Sequence, residues 1–215
     1  MILVADNYLE KRYEEVFGRG ARRVVKHGGP SLDSLLLRNR SHRGYLKEQV
    51  VTCQQLETIA GVNDKIASGR NRQVLRFRLV TGGEEADKVL SHIRLGAALP
   101  ELHLPLAGEE PEAFIIVCST VPEDRIVDID MGVSVQSMLL KAVEIGLNGI
   151  VIAAFDRAAV KAELNLPLEP LLVLGIGKGT DKIQITRISA GDSRDYYRKD
   201  GIHYVPKLGL EDLLI

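Results

Sequence analysis

The apolar and polar positions along the chain predict strands and helices in mixed order. Residues 113–119 and 171–176 are apolar almost throughout and predict buried strands, and a third buried strand is predicted at 149–155. Partial alternation of apolar with polar residues predicts strands with one wetter face at 74–80 and 182–188. Strands and helices that mix without strict alternation favour an α+β fold, with a sheet covered by helices.

The remaining periodic segments predict helices. In chain order these are residues 7–27, 32–37, 47–60, 83–94, 126–146 and 156–164, with a helical turn at 208–214. Residues 97–112 hold three of the eight prolines and little periodicity, so we predict a loop there. No element is predicted for the charged, tyrosine-bearing stretch from 191 to 204.

The helix predicted at 126–146 is the longest, and it is apolar over most of its circumference. Its polar residues share one stripe, which consists of Asp130, Ser134, Ser137, Lys141 and Glu144. A helix of this kind must be covered on most of its sides. In a chain of this size a partner subunit is a reasonable source of that cover, so the pattern predicts a homodimer.

Composition and charge exclude several classes of function. The 215 residues suffice for a substantial core, as one domain or as an intertwined unit. The 28 basic and 29 acidic side chains give a net charge of −1, which provides no general field for nucleic acid or an anionic membrane. No segment has the pattern of a membrane span or a signal peptide. Two cysteines without CxxC spacing and five dispersed histidines favour neither a disulfide nor a metal site, and we expect a reducing cytoplasm.

Two polar segments have the chemistry to bind a ligand that bears both a phosphate and a flat heteroaromatic ring. Residues 38–43 contain three arginines and a serine, which suit a phosphate. Residues 68–73 include Asn71 and Gln73, whose amides suit a ring edge with alternating donors and acceptors. The strand predicted at 149–155 ends in small residues that let backbone approach such a ring. Taken alone, either polar segment is also typical of a solvated face or a turn.

With these segments in this order, the sequence resembles the nitroreductase family, flavoproteins that use FMN. The resemblance covers roughly residues 32–215 and is carried by Asn39-Arg40-Ser41-His42-Arg43-Gly44-Tyr45, Ala67-Ser68-Gly69-Arg70-Asn71-Arg72-Gln73-Val74-Leu75, Asp130-Met131-Gly132-Val133-Ser134-Val135-Gln136, Ile152-Ala153-Ala154-Phe155 and Pro206-Lys207. Each motif is weak alone, and five in series are fairly specific.

The resemblance implies one nitroreductase-like domain over residues 1–215. Its fold would be α+β, with a central mixed or antiparallel sheet flanked by helices, in an intertwined homodimer. Residues 1–30 would form an N-terminal helical extension, and residues 195–215 a tail that packs on the partner subunit.

The resemblance also implies a set of FMN-binding residues. They are Arg40, Ser41, Arg43, Ser68, Gly69, Asn71, Gln73, Ala153, Ala154 and Lys207. Arg40 and Ser41 would bind the phosphate, with Lys207 reaching it from the tail, plausibly from the partner subunit. Arg43 would lie near the pyrimidine end of the flavin, where a cation stabilises the reduced ring.

The other implied contacts involve the ribityl arm and the ring. Residues 68–71 would contact the arm or the ring edge, and backbone at Ala153 and Ala154 would face flavin N5. The chain departs from the family pattern at two of these places. Asn39 replaces the usual first arginine, and the two alanines replace two glycines. Both departures predict weaker FMN binding than is usual for the family.

The implied activity is that of an FMN-dependent oxidoreductase. Hydride would pass from NADH or NADPH through flavin N5 to a small-molecule acceptor, such as a nitroaromatic or quinone, by a ping-pong mechanism. No side chain is assigned acid–base catalysis, and no metal, nucleic acid or membrane partner is expected. The departures from the family pattern motivate an alternative, a flavin-binding carrier or sensor with little turnover.

Overall fold

The fold is that of a computed structural model in which residues 29–96 and 104–215 are described. Residues Leu32–Ile215 form one compact unit. The helix predicted at 7–27 and the first part of the loop predicted at 97–112 lie outside the described residues. Within the described residues, no helix is both long and apolar enough to cross a membrane.

The main sheet has four antiparallel strands. They are β1 (Leu75–Val80), β2 (Ala113–Ser119), β3 (Asn148–Ile152) and β4 (Glu169–Gly177), in the spatial order β1-β2-β4-β3. The central strands β2 and β4 are buried along almost their whole length, as their apolar runs predict. The edge strand β1 alternates, and it exposes Arg76 and Arg78.

Within residues 29–96 and 104–215, five α-helices accompany this sheet. They are α1 (Leu32–Arg38), α2 (Cys53–Ala60), α3 (Glu84–Ser91), α4 (Arg125–Glu144) and α5 (Arg157–Glu163), with short 3₁₀ helices at Gly61–Asp64, Gly69–Asn71 and Leu210–Asp212. Side-chain caps decide where three of the helices begin, because the first backbone N–H groups of a helix lack internal partners. Thr52 caps α2, Asp124 caps α4 and Asp156 caps α5.

The core lies on both faces of the main sheet. Alternate residues of β2 point to opposite faces, so Ile115 packs with α2 and α4, whereas Phe114 packs with α3 and α5. Both side chains are fully buried. The chain therefore has an antiparallel sheet between two helical layers, which confirms the predicted α+β class.

A second, smaller sheet follows the main one. It contains β5 (Lys182–Ile188), β6 (Tyr197–Lys199) and β7 (Ile202–Leu208), in the order β5-β7-β6. Strand β7 runs parallel to β5 and antiparallel to β6. The prediction of β5 is confirmed, whereas β6 and β7 were missed because their charged residues and Pro206 conceal any strand pattern.

Several sequence predictions differ from the structure in detail. The helix predicted at 47–60 begins only at Cys53, and Val50 before it is 66% exposed. The α1 helix has no buried residue, so its leucines do not anchor it in the core. Strand β3 ends at Ile152, which leaves Ala153 and Ala154 in the connection that follows.

Candidate functional site

The arginine-rich segment that follows α1 is held against the edge of the main sheet. Ser41 forms an isolated bridge with Gly149 of β3, and the His42 N–H donates to the Gly149 carbonyl at 3.3 Å. Tyr45 is almost fully buried, and its hydroxyl donates to the His42 carbonyl at 2.9 Å. These contacts fix the backbone from which Arg40 and Arg43 project.

The carboxylate of Asp181, in the turn between β4 and β5, anchors this segment from the other side. Its Oδ2 accepts hydrogen bonds from the backbone N–H groups of Arg43 at 2.6 Å and Gly44 at 3.1 Å. Its Oδ1 accepts from the guanidinium of Arg198 on β6. His42, between Ser41 and Arg43, is only 7% exposed, with Nδ1 3.8 Å from Asp181 Oδ2. Burial lowers the pKa of His42, and Asp181 opposes that effect.

A cavity of 310 Å³ lies between this segment, α4, β3 and the small sheet, and we call it the Arg40 cavity. Its polar lining consists of Asn39, Arg40, Ser41, Arg43, Gln136, Tyr196, His203 and Lys207. Three of these side chains are permanent cations, and none of the described residues that line the cavity is a carboxylate. The cavity is therefore suited to an anion.

Several nitrogen atoms at the Arg40 cavity lack partners. Arg40 Nε, Arg43 Nε and His203 Nδ1 are buried without a hydrogen bond, although the same arginines donate elsewhere to the Leu36 and Ser41 carbonyls. Burial also lowers the pKa of the Arg40 guanidinium. Buried polar groups without partners are uncommon, and an oxyanion in the cavity would supply the acceptors that these nitrogens lack.

Two aromatic residues on the small-sheet side of the cavity were not predicted as site residues. The Tyr196 and His203 ring centroids are 5.0 Å apart, and the Arg43 guanidinium lies 4.9 Å from the Tyr196 centroid. The signal that would have found His203 is its spacing from Lys207. Alternate residues of one strand share a face, but no strand was predicted there.

The 68–73 loop, which is predicted to contact the flavin, does not line the Arg40 cavity. Ser68 and Gln73 line a separate cavity of 170 Å³, together with Asp130 of α4. The Gly69 N–H donates to Asp130 Oδ1 at 2.7 Å, which ties the loop to the first turns of α4. A Cβ at Gly69 would overlap Ile126, so a larger residue does not fit there without rearrangement.

The backbone of this loop is strained. The φ angles of Arg70, Asn71 and Gln73 are 53°, 55° and 48°. These values lie in the left-handed region, which residues other than glycine rarely adopt. Ser68 Oγ accepts a hydrogen bond from the Gln73 N–H at 3.2 Å, which helps to hold the turn. Strain of this kind concentrates at ligand-binding sites and motivates a functional hypothesis for the loop.

Ala153 and Ala154, which follow β3 and are also predicted to contact the flavin, lie at a third location. Both are exposed, and Ala154 lines a cavity of 420 Å³ with Arg94 and Phe155. The Ala154 carbonyl accepts a hydrogen bond from the Arg94 N–H at 2.9 Å.

Four of the ten predicted ligands therefore meet in one cavity of a single chain: Arg40, Ser41, Arg43 and Lys207. The other six do not line that cavity. Within residues 29–96 and 104–215, no group of three or more His, Cys, Asp or Glu side chains is placed to hold a metal ion.

Comparison with known proteins identifies what the chain is similar to. The sequence model of the Nitroreductase family matches residues 36–178, which is well over half of the chain. A comparison with curated proteins gave no match.

Solved structures share the fold at low sequence identity. A nitroreductase family protein from Clostridium difficile 630 is 24% identical, with a TM-score of 0.53 over 68% of this chain and 83% of its own. The FMN- and NADPH-dependent nitroreductase NfnB from Sphigopyxis sp. strain HMH is 20% identical, with a TM-score of 0.59 over 70% and 89%. A nitroreductase family protein from Clostridium novyi NT is 18% identical, with a TM-score of 0.58 over 71% and 87%.

Replacing Asp181 with alanine should destabilise the protein. Two backbone N–H groups and the Arg198 guanidinium would lose their acceptor, so we expect the free energy of unfolding to fall by about 2–4 kcal/mol. Urea unfolding monitored by circular dichroism measures this change. The control Asp195→Ala removes an exposed carboxylate and should change stability by less than about 0.5 kcal/mol. Equal effects of the two substitutions would contradict the anchoring role of Asp181.

Proposed function

The chain belongs to the nitroreductase family, and on that basis we propose that it is an FMN-dependent oxidoreductase that uses NADH or NADPH. When bound, FMN supplies the chemistry of hydride transfer to an acceptor such as a nitroaromatic or quinone, in two half-reactions of a ping-pong cycle. The observation that carries the proposal is the Arg40 cavity, in which four residues of the family motifs meet.

The residues of this cavity fit the phosphate end of FMN. Arg40 and Lys207 would hold the phosphate by charge, and Ser41 offers a hydroxyl donor between them. The buried Nε atoms of Arg40 and Arg43 provide donors without partners. The lining also has an apolar part, which includes the buried Leu139 and the partly exposed Val151.

We further propose that the site is completed by a second copy of the chain. Ile126, Ile129 and Val133 lie along α4 with 39%, 51% and 42% of their surfaces exposed. This apolar stripe begins at Ile126, which lies beside Gly69 of the 68–73 loop. The same helix continues to Gln136, which lines the Arg40 cavity. A partner packed on the stripe about a two-fold axis brings its own loop towards this cavity. That arrangement accounts for the separation of the loop from the phosphate ligands within one chain.

The end of the C-terminal tail supports the same proposal. Leu210, Leu213 and Leu214 are 62%, 63% and 68% exposed, which leaves a second apolar surface for the partner to cover. Strands β6 and β7, earlier in the tail, pair with β5 of their own chain. We therefore propose that the tail contributes to both the phosphate cavity and the dimer interface.

The proposed setting is the reducing cytoplasm. Cys53 is exposed and Cys118 is buried, and neither forms a disulfide. Burial raises the pKa of the Cys118 thiol to about 11, so this cysteine is an inert core residue. Two unpaired thiols in one chain support a compartment in which thiols stay reduced.

A flavin-binding carrier or sensor is the second candidate function. Asn39 lines the Arg40 cavity with a neutral amide, at the position where the family pattern has an arginine. Its Nδ2 lies 3.5 Å from Gln136 Oε1, so the amide faces α4. One cation fewer at the phosphate favours weaker retention of FMN, which suits a protein that binds and releases flavin.

Anaerobic reduction separates the two candidates. Purified protein saturated with FMN is mixed with NADH or NADPH, and the flavin absorbance at about 450 nm is followed over time. An oxidoreductase should lose this absorbance within seconds with at least one donor and regain it when a quinone or nitroaromatic is added. Retention of the absorbance with both donors would favour the carrier or sensor.

The double substitution Arg40→Ala/Ser41→Ala should give folded protein without bound flavin. Loss of two phosphate contacts should weaken FMN binding by about a hundredfold or more. The visible spectrum of the purified protein reports flavin content, and circular dichroism reports folding. The control Ser34→Ala/Arg38→Ala alters the neighbouring α1 helix, which does not line the Arg40 cavity, and should retain flavin. Full flavin occupancy in the first variant would remove the phosphate assignment.

A charge in the α4 stripe should separate the subunits. Ile129→Glu places a carboxylate at the centre of the proposed interface, so we expect a monomer that has lost its flavin. Size-exclusion chromatography with light scattering measures the mass. The control Val50→Glu alters an apolar residue outside the stripe that is 66% exposed, and it should remain dimeric. A dimeric Ile129→Glu variant with bound flavin would contradict the interface.

A further inference from the structure

His203 lies on the wall of the Arg40 cavity because of the register of β7. Residues two apart on a strand share a face, and His203, Val205 and Lys207 all line the cavity. Parallel pairing with β5 places Ile183 opposite His203 and Arg187 opposite Lys207. His203 and the proposed phosphate ligand Lys207 therefore border the same space from one strand.

The imidazole of His203 is buried and incompletely bonded. The residue is only 3% exposed, and its Nδ1 has no hydrogen-bond partner. The Tyr196 ring packs beside it at 5.0 Å between centroids, which restricts the orientation of the imidazole. A buried polar atom without a partner, in a residue that lines a cavity, calls for an explanation, and a bound ligand would supply one.

The charges around His203 favour its neutral form. Burial lowers the pKa of His203, and the nearby Arg43, Arg198 and His42 lower it further. Asp181 acts in the opposite direction but already accepts hydrogen bonds from Arg198 and two backbone N–H groups. Lys207 adds another cation on the same face of β7. These effects favour the neutral form of the imidazole in the free protein, in a cavity that is lined by cations.

We propose that His203 is a ligand of the phosphate group that the Arg40 cavity accepts, and that it takes up a proton from solvent when the phosphate binds. That the phosphate belongs to FMN rests on the proposed function, whereas the role of His203 depends only on the arrival of an oxyanion. A dianion beside the imidazole offsets the surrounding cations and stabilises the imidazolium form, which can donate a charged hydrogen bond.

The pH dependence of binding follows from this coupling. Since the bound state of His203 holds its proton to higher pH than the free state does, its contribution to affinity is complete at low pH. The contribution declines as the pH rises through the pKa of the bound state. The phosphate itself has a second pKa of about 6, and below that pH the weaker charge of the ligand acts in the opposite direction. Comparison with a variant that lacks the imidazole cancels the effect of the ligand.

The test is calorimetric titration of FMN into flavin-free protein at pH 7.5, in two buffers with different ionisation enthalpies. The dependence of the heat on the buffer gives the number of protons taken up. We expect uptake of about half a proton per site in the unmodified protein and almost none in His203→Gln. The dissociation constant of the variant should be about tenfold higher at pH 6.5, with a smaller ratio at pH 8.5. Equal proton uptake in both proteins would overturn the inference and leave the FMN proposal standing.

The control is His92→Gln. His92 lines the 420 Å³ cavity beside Ala154, and its Nε2 is 2.9 Å from Glu163 Oε1. It does not line the Arg40 cavity. This variant should take up as many protons as the unmodified protein. A loss of uptake in His92→Gln equal to that in His203→Gln would also count against the inference.

A second measurement uses inorganic phosphate and needs no folded variant. Histidine ring NMR of the unmodified protein identifies His203 by its through-space contact with the Tyr196 ring. Saturating phosphate should raise the pKa of this ring. If it does so while FMN fails to bind, the role of His203 stands and the proposed function falls. If phosphate leaves the His203 pKa unchanged, the inference is wrong whatever FMN does.

Discussion

The buried carboxylate of Asp181 is the interaction on which the cavity depends. It joins the backbone at Arg43 and Gly44, beside the main sheet, to the Arg198 guanidinium of the small sheet. Without this acceptor, two backbone N–H groups beside the main sheet and the Arg198 guanidinium of the small sheet would lose the bonding partner that joins them. Asp181 bonds to backbone N–H groups and to Arg198, and none of the described residues that line the cavity is a carboxylate, so Arg40 and Lys207 stay available to an anion.

The strands and helices that depend on local pattern could be predicted from the sequence. Strand β2 and the edge strand β5 have the predicted bounds, and α4 differs from its prediction by one or two residues at each end. Strand β7 could not be predicted in this way, because its stability comes from parallel pairing with β5 although β6 lies between them in the chain. Pro206 and Lys207 then weaken the local signal that remained.

The candidate site could likewise be predicted only in part from the sequence. Family motifs identified Arg40, Ser41, Arg43 and Lys207 from residue type and order, and these four meet in one cavity. They did not identify His203 or Tyr196, because burial on a cavity wall is a property of the assembled sheets. His42 shows the same limit, since a residue between two motif positions proved to be buried behind the site. Sequence patterns thus indicated the candidate charged ligands, whereas the residues that surround them required the fold.

The Arg40 cavity also separates the local charge of this protein from its overall charge. The chain as a whole is nearly neutral, with a net charge of −1. The concave surface of the cavity is nevertheless lined by three cations, and none of its described lining residues is a carboxylate. Field lines from such a surface extend into solvent over about one Debye length, roughly 8 Å at physiological ionic strength. Encounter of an anionic molecule with the cavity is therefore accelerated in dilute buffer and slowed by added salt, even though the protein as a whole neither attracts nor repels it.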